Sequence, residues 1–227
     1  MMEHSLRAVL TTAVATAGFL LASAGDVQAA PFTFSCPSGA DCHGATYGLK
    51  LTDVTTLGGG LFEYEVTFGI KTTGYSGDPT DSVHAVSFKE LVSGFTDLAL
   101  TSAPAGVGTW SPVSSGLQAD GCKIAGELAA CAESSSFGAP VSPAGELFWV
   151  FTFKSTDATP GPTGHIKFLY VEDELDRHGD FKKVGGLGGF QIPLQAPDSP
   201  TVPEPATMAL FGMALAASAG RYCSRRR

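Results

Sequence analysis

Residues Phe62-Glu63-Tyr64-Glu65-Val66-Thr67-Phe68-Gly69-Ile70 alternate, with large apolar side chains at every even position. Successive side chains of a strand point to opposite faces, so a period of two predicts a strand with one buried and one solvated face. Such a strand must bury its apolar face against a second layer. The flanking segments meet that need. Residues 45–52 precede it across a Leu57-Gly58-Gly59-Gly60-Leu61 turn, and 83–91, 95–101 and 107–110 follow, divided by Ser93-Gly94 and Pro104-Ala105-Gly106. Residues 147–154 are almost continuously apolar, the pattern of a central strand buried on both faces. A Gly161-Pro162-Thr163-Gly164 turn leads to a further strand over 165–171. Short strands with frequent turns predict an all-β fold, an antiparallel β-sandwich. No convincing helical periodicity interrupts them, beyond one turn's worth within 118–131. Residues 172–201 read as an irregular stretch and a linker, made extended and semi-rigid by Pro193, Pro197, Pro200 and Pro203.

Both ends differ from this middle. Arg7, offset by Glu3, precedes an apolar small-residue run over 8–24, and Val27-Gln28-Ala29 follows. This is the pattern of a secretory signal peptide over 1–29, cleaved between Ala29 and Ala30. A permanent anchor helix is the competing reading, disfavoured by the Ala/Thr-rich composition and the cleavable motif. The other end reads Val202-Pro203-Glu204-Pro205, an uncharged apolar run over 206–220, and then Arg221, Tyr222, Cys223, Ser224, Arg225, Arg226 and Arg227. At helical rise that run covers roughly 22 Å against roughly 30 Å of hydrocarbon, marginal for a permanent span. Four arginines beyond it should hold that end on the cytoplasmic side, which puts the middle of the chain outside.

These three parts in this order resemble the C-terminal sorting signal of PEP-CTERM proteins of Gram-negative bacteria that make extracellular polysaccharide. The resemblance covers 202–227 and implies an exosortase, a membrane-embedded cysteine peptidase, as the processing partner that cuts near Val202-Pro203-Glu204-Pro205. A plain tail anchor is the alternative. The segment Val83-His84-Ala85-Val86-Ser87-Phe88, followed by Pro104 and Trp110, also resembles the sandwich domains common in that family, which implies a jelly-roll-like arrangement. The organisation expected is a signal peptide over 1–29, an exported domain over 30–192, a Pro-rich linker over 193–201 and a sorting and anchoring signal over 202–227.

Composition narrows the partners. Residues 31–200 carry 9 Lys and Arg against 19 Asp and Glu, a net of −10, which disfavours nucleic acid. The chain has no asparagine, so it has neither an N-glycosylation sequon nor a Cys-His-Asn catalytic set. Cys36, Cys42, Cys122 and Cys131 make an even count in an oxidising compartment, which predicts two disulfides. Three connectivities are open; the local pairs Cys36–Cys42 and Cys122–Cys131 are favoured because each lies in its own Gly/Ser/Ala-rich loop. Cys36, Cys42 and His43 match no standard zinc spacing.

No nucleophile elbow, Walker loop, HExxH or paired CxxC is present, and no residue is assigned a catalytic, cofactor-binding or metal-binding role. His84 and His165 fall within strands. Glu172-Asp173-Glu174-Leu175-Asp176 with Asp180, and Asp78-Pro79-Thr80-Asp81, offer oxygen ligands suited to Ca²⁺, though charge runs are usually solvated loops. Trp149 belongs to a core strand, whereas Trp110, between Gly108 and Pro112, is a candidate exposed ring for sugar stacking. Glu63 and Glu65 share one strand face. The leading reading is a non-enzymatic exported surface or matrix protein associated with exopolysaccharide; a carbohydrate-binding module is the alternative, and a secreted hydrolase with two facing carboxylates comes third.

Overall fold

The period-two segments are realised as long strands, and their large side chains meet in one core. The computed structural model describes residues 31–123, 128–185 and 187–198. Its strands are β1 (Thr46–Gly58), β2 (Leu61–Lys71), β3 (Ser82–Lys89), β4 (Thr96–Ser102), β5 (Trp110–Ser114), β6 (Leu117–Gln118), β7 (Gly121–Cys122), β8 (Ala129–Ser134), β9 (Ala139–Pro140), β10 (Glu146–Ser155), β11 (Thr163–Leu175), β12 (Phe181–Lys183) and β13 (Gly188–Gln195). A short 3-10 turn, Val107–Thr109, occupies most of the segment expected to be a strand before Trp110.

The ladder runs β4-β10-β2-β1-β13-β11-β3-β8-β5, with β12 added to β11 and β9 to β3. Every neighbouring pair on this path is antiparallel except β1 and β13, which run parallel at Leu49–Leu194 and Lys50–Gln195. The last strand thus enters between β1 and β11 and joins two half-sheets that otherwise face each other. Their facing is read from rings that meet across the core: Phe88 of β3 lies 5.1 Å from Phe151 of β10, and Tyr47 of β1 stacks on Phe168 of β11 at 4.2 Å. The fold is therefore the expected all-β sandwich. The even positions of β2 (Tyr64, Val66, Phe68, Ile70) and Trp149, Phe151 and Phe153 of β10 all point into this core. Each large apolar side chain buried there contributes about 1.5–3 kcal/mol of transfer free energy.

Two expectations need correction. The apolar run of β10 is not buried on both faces: Trp149, Phe151 and Phe153 are buried, while the residues between them are half-buried, because β10 has only the main core to face. The doubly covered strands are β3, β8 and β11, whose outer face carries a second small cluster of Ala85, Leu117, Cys131, Leu169 and Val171 with Phe137, Phe181 and Leu187 against it. The stretch 172–201 is also more ordered than expected, since it includes the end of β11, β12 and the whole of β13. Pro193 lies within β13 opposite Thr163, so the strand runs into the segment read as a linker.

The start of the domain is held on the outer face of the first half-sheet. Gly48 and Gly69 are paired across β1 and β2, and the Phe32 ring rests over them. A Cβ on Gly48 would lie 2.2 Å from that ring, and one on Gly69 2.7 Å. Phe32 also packs edge-on to Phe148 at 5.2 Å. Gln195, at the end of β13, accepts a hydrogen bond from the Thr33 amide at 2.7 Å and donates one to the Thr33 carbonyl at 2.6 Å.

Candidate functional site

The two disulfides are Cys36–Cys42 and Cys122–Cys131, the local pairing. The second does not close a single loop, as its sequence context suggested. Cys131 is a buried residue of β8, and the bond clamps the β6–β7 hairpin onto the outer face of the second half-sheet. Both cysteines near His43 are thereby committed, so they are not thiolate ligands.

Glu133 lies two residues beyond Cys131 on β8, hence on the same face. Its Oε2 accepts a hydrogen bond from the Cys122 amide at 2.9 Å, and its Oε1 lies 3.4 Å from His84 Nε2. His84, on β3 and only 3% exposed, sits with Nδ1 2.9 Å from the Ser136 carbonyl, so Nδ1 is the donor there. Its ring packs on Phe181 at 4.2 Å. These side chains line a cavity of about 620 Å³, whose rim includes Asp120, Asp180 and Lys183. Asp120 accepts hydrogen bonds from Lys123 and Lys183, each at 2.9 Å, and the two ammonium groups, Lys123 first, hold its carboxyl down at about 2.

A second cavity, about 410 Å³, is lined by Asp78, Asp81, Glu172, Asp173 and Glu174 with Thr80 and Val184. Two acidic stretches that the sequence presented as separate candidates are thus brought together, while Asp176 and Asp180 go to the first cavity. Asp81 Oδ2 accepts from the Tyr75 hydroxyl at 2.8 Å and from the Asp78 amide at 2.9 Å. Asp81 Oδ1 is buried without a hydrogen-bond partner. Asp78 Oδ1 accepts from the Thr80 amide and hydroxyl, which pull its carboxyl below the usual range. Burial, and then the hydrogen bond to Asp81, push the Tyr75 phenol far above its ordinary value. Among the described residues, no three His, Cys, Asp or Glu side chains already form a metal cage.

The other sequence candidates fall elsewhere. Trp110 is not an exposed platform: it is 5% exposed, edge-on to Trp149, with its indole N–H donated to the Pro104 carbonyl at 3.0 Å. It lies inside because, as the first residue of β5, it points toward the core. Trp149 is fully buried, as expected. His165 is half-buried, near Glu90. Glu63 and Glu65 lie on the outer face of β2 opposite Lys154 and Thr152, and they line neither cavity. Ala29 and Ala30, Val202 to Pro205, the apolar run 206–220, and Arg221, Arg225, Arg226 and Arg227 lie outside the described residues. The His84–Glu133–Cys122 linkage was not among the sequence candidates; only the placement of Glu133 two residues after Cys131 hinted at it.

A sandwich with two disulfides on its flanks is the build of a domain made for an oxidising compartment. Residues 201–227 match the model of the PEP-CTERM protein-sorting motif, so this is an exported protein bearing the sorting signal that an exosortase processes. No curated protein matches the chain. Similar solved structures include a cohesin module from a Clostridium perfringens ATCC13124 family 33 glycoside hydrolase (14% identity, TM-score 0.30, covering 66% of this chain and 96% of that one). An uncharacterized Nocardia farcinica protein with an immunoglobulin-like fold shares 13% identity (TM-score 0.31, 64% and 98%). The major pilin subunit of Bacillus cereus shares 10% (TM-score 0.31, 68% and 40%).

Proposed function

We propose that the chain is a non-enzymatic surface or extracellular-matrix protein associated with exopolysaccharide. A signal peptide over 1–29 is removed between Ala29 and Ala30, and the domain, which runs through β13 to Gln195, is carried across the membrane ahead of a short Pro-rich connection to the sorting signal. The signal over 202–227 then holds it transiently in the inner membrane, with Arg221, Arg225, Arg226 and Arg227 on the cytoplasmic side. An exosortase cuts near Val202-Pro203-Glu204-Pro205 and passes the domain to the surface or the medium. The sorting-motif match over 201–227 is the observation that carries this reading. The test is fractionation of cells with and without the exosortase. The protein should move from surface and medium to a full-length membrane form when the peptidase is deleted, and an unchanged distribution would refute the reading.

A second reading, a carbohydrate-binding module, is supported by the cavity beside His84 and Phe181. At about 620 Å³ it has the size of a small-ligand site, with an apolar floor of Leu169, Val171 and Phe181 under a charged rim. Polysaccharide pull-down that is lost in Lys183→Ala and Asp180→Ala, with the fold retained, would favour it. Binding indifferent to both substitutions would exclude this cavity.

A further inference from the structure

The walls of the cavity beside His84 are not equally secured. His84 of β3, Glu133 of β8, and Leu169 and Val171 of β11 belong to the main ladder. Ala119, Asp120 and Lys123 come instead from the β6–β7 hairpin. Among the described residues that hairpin pairs only with itself, Leu117 with Cys122 and Gln118 with Gly121. Two strands of two residues are too short to be stable alone in water. Apart from the Cys122–Cys131 bond, the hairpin rests on the buried Leu117 side chain and on polar contacts. The Leu117 carbonyl accepts a hydrogen bond from Lys167 at 3.3 Å, the Cys122 amide donates to Glu133, and Asp120 meets Lys183. The last joins side chains 62% and 39% exposed, a class of ion pair that contributes little. The two ends of the bond also differ. Cys131 is fully buried and paired on both sides, with Ser87 of β3 and Val113 of β5, whereas Cys122 is half-buried and held through the hairpin. Breaking the bond therefore frees the hairpin and leaves β8 in place.

We propose that the Cys122–Cys131 bond builds this cavity, so that the cavity is a binding site of the oxidised, exported protein and is absent from the reduced chain. Its formation needs a disulfide-bearing oxidant of the receiving compartment. One cysteine thiolate attacks the oxidant's disulfide and expels a thiolate; the second cysteine thiolate attacks the mixed disulfide and expels the other. The two thiol protons pass to the departing thiolates, so two cysteines are oxidised and one oxidant disulfide becomes two thiols. The bond then seats the hairpin on Glu133. The carboxylate lies against Gly121, where a Cβ would come 2.0 Å from Oε1, and it takes the Cys122 amide as donor while facing His84. Without the hairpin, Glu133 loses that donor and the cavity loses the wall that carries Asp120. The saccharide as ligand rests on the carbohydrate-binding reading above; the assembly of the wall does not. A chain still inside the cell is thereby kept from taking up its ligand before export.

Amide hydrogen exchange of the purified protein tests this without any ligand. In Cys122→Ser combined with Cys131→Ala, peptides covering 117–122 should exchange at least about tenfold faster, while those covering β3 and β8 stay within about twofold of the parent. Removing the other bond, by Cys36→Ala with Cys42→Ala, should leave 117–122 unchanged. Protection of 117–122 kept within about twofold in the first variant would overturn the proposal, because noncovalent contacts would then hold the wall. Faster exchange spread over β3 and β8 would overturn it too, since the bond would then serve the whole fold. If the double variant does not fold, Cys122→Ser alone decides by the same peptides, as it leaves the buried Cys131 in place; failure of both to fold counts against the proposal. Pull-down on the cell's own exopolysaccharide separates the two readings. Opening of 117–122 with no binding by either protein leaves the wall assignment standing and removes the carbohydrate reading. Equal binding by the parent and the opened variant overturns the redox-dependent site, because the polysaccharide then does not use this wall.

Discussion

The indole of Trp110 meets that of Trp149 edge-on, with ring centroids 5.2 Å apart and planes at 79°. One ring comes from β5, at the end of the second half-sheet, and the other from β10 in the first, so the pair pins the two halves together where the ladder stops. Trp110→Ala should therefore act on stability and not on ligand binding. A loss of about 3–5 kcal/mol is expected from emptying so large a buried site. Chemical denaturation measures it; a change under about 1 kcal/mol would mean that the ring is not buried.

The seat of Phe32 on Gly48 and Gly69 gives a second prediction. In Gly48→Ala the new Cβ meets both the ring, at 2.2 Å, and the Thr33 carbonyl, at 2.5 Å. Something must shift, at a cost of about 1–3 kcal/mol. The segment 31–35 should become sensitive to limited proteolysis. Adding Phe32→Ala should cost less than the sum of the two single changes, because the ring's share of the clash is then gone.

Reduction of the disulfides should weaken the domain without dissolving it. Loops of this length account for about 2–3 kcal/mol each in the chain-entropy view. The core of aromatic and β-branched residues does not depend on either bond. Far-ultraviolet circular dichroism should keep its β signature in reductant while the denaturation midpoint falls. Collapse of the signature on reduction would contradict this.

Asp120 predicts an acid dependence. Its carboxyl is held at about 2 in the folded chain against an ordinary value of 3.8, by Lys123 and then Lys183. A depressed carboxylate contributes its stabilisation fully above the unfolded value and loses it as pH falls through the folded one. The Lys183 contact between β12 and the β6–β7 hairpin should thus hold above about pH 4 and loosen toward about pH 2. Carboxyl titration by NMR should find Asp120 near 2, and Lys123→Ala should raise it.

What was legible in the sequence was local. Strand β2 announced itself because its even positions all face one core, and the disulfides because each pair is close along the chain. Strand β13 stayed hidden because its lead-in is glycine-rich and Pro193 lies within it, and because it is held from both sides, by β11 along most of its length and by β1 in the ladder's parallel pairing, and neither partner is marked in its own residue pattern. Trp110 was misread because Gly108 and Pro112 mark a strand end but do not say which face the ring takes. The acidic recess was legible only as two unrelated charge runs, since nothing local brings Asp81 to Glu174. The disulfide hairpin made β3 and β11 two-faced, a coverage that no periodicity in either strand reports.

The central claim, an exported sandwich delivered by a C-terminal signal, is tested most directly by the intact mass and peptide map of the protein recovered from the cell surface and medium. The expected species begins at Ala30, carries Cys36–Cys42 and Cys122–Cys131 oxidised, and ends near the Val202-Pro203-Glu204-Pro205 motif. Recovery of a surface form that retains Arg225-Arg226-Arg227, or that has free thiols at the four cysteines, would contradict it.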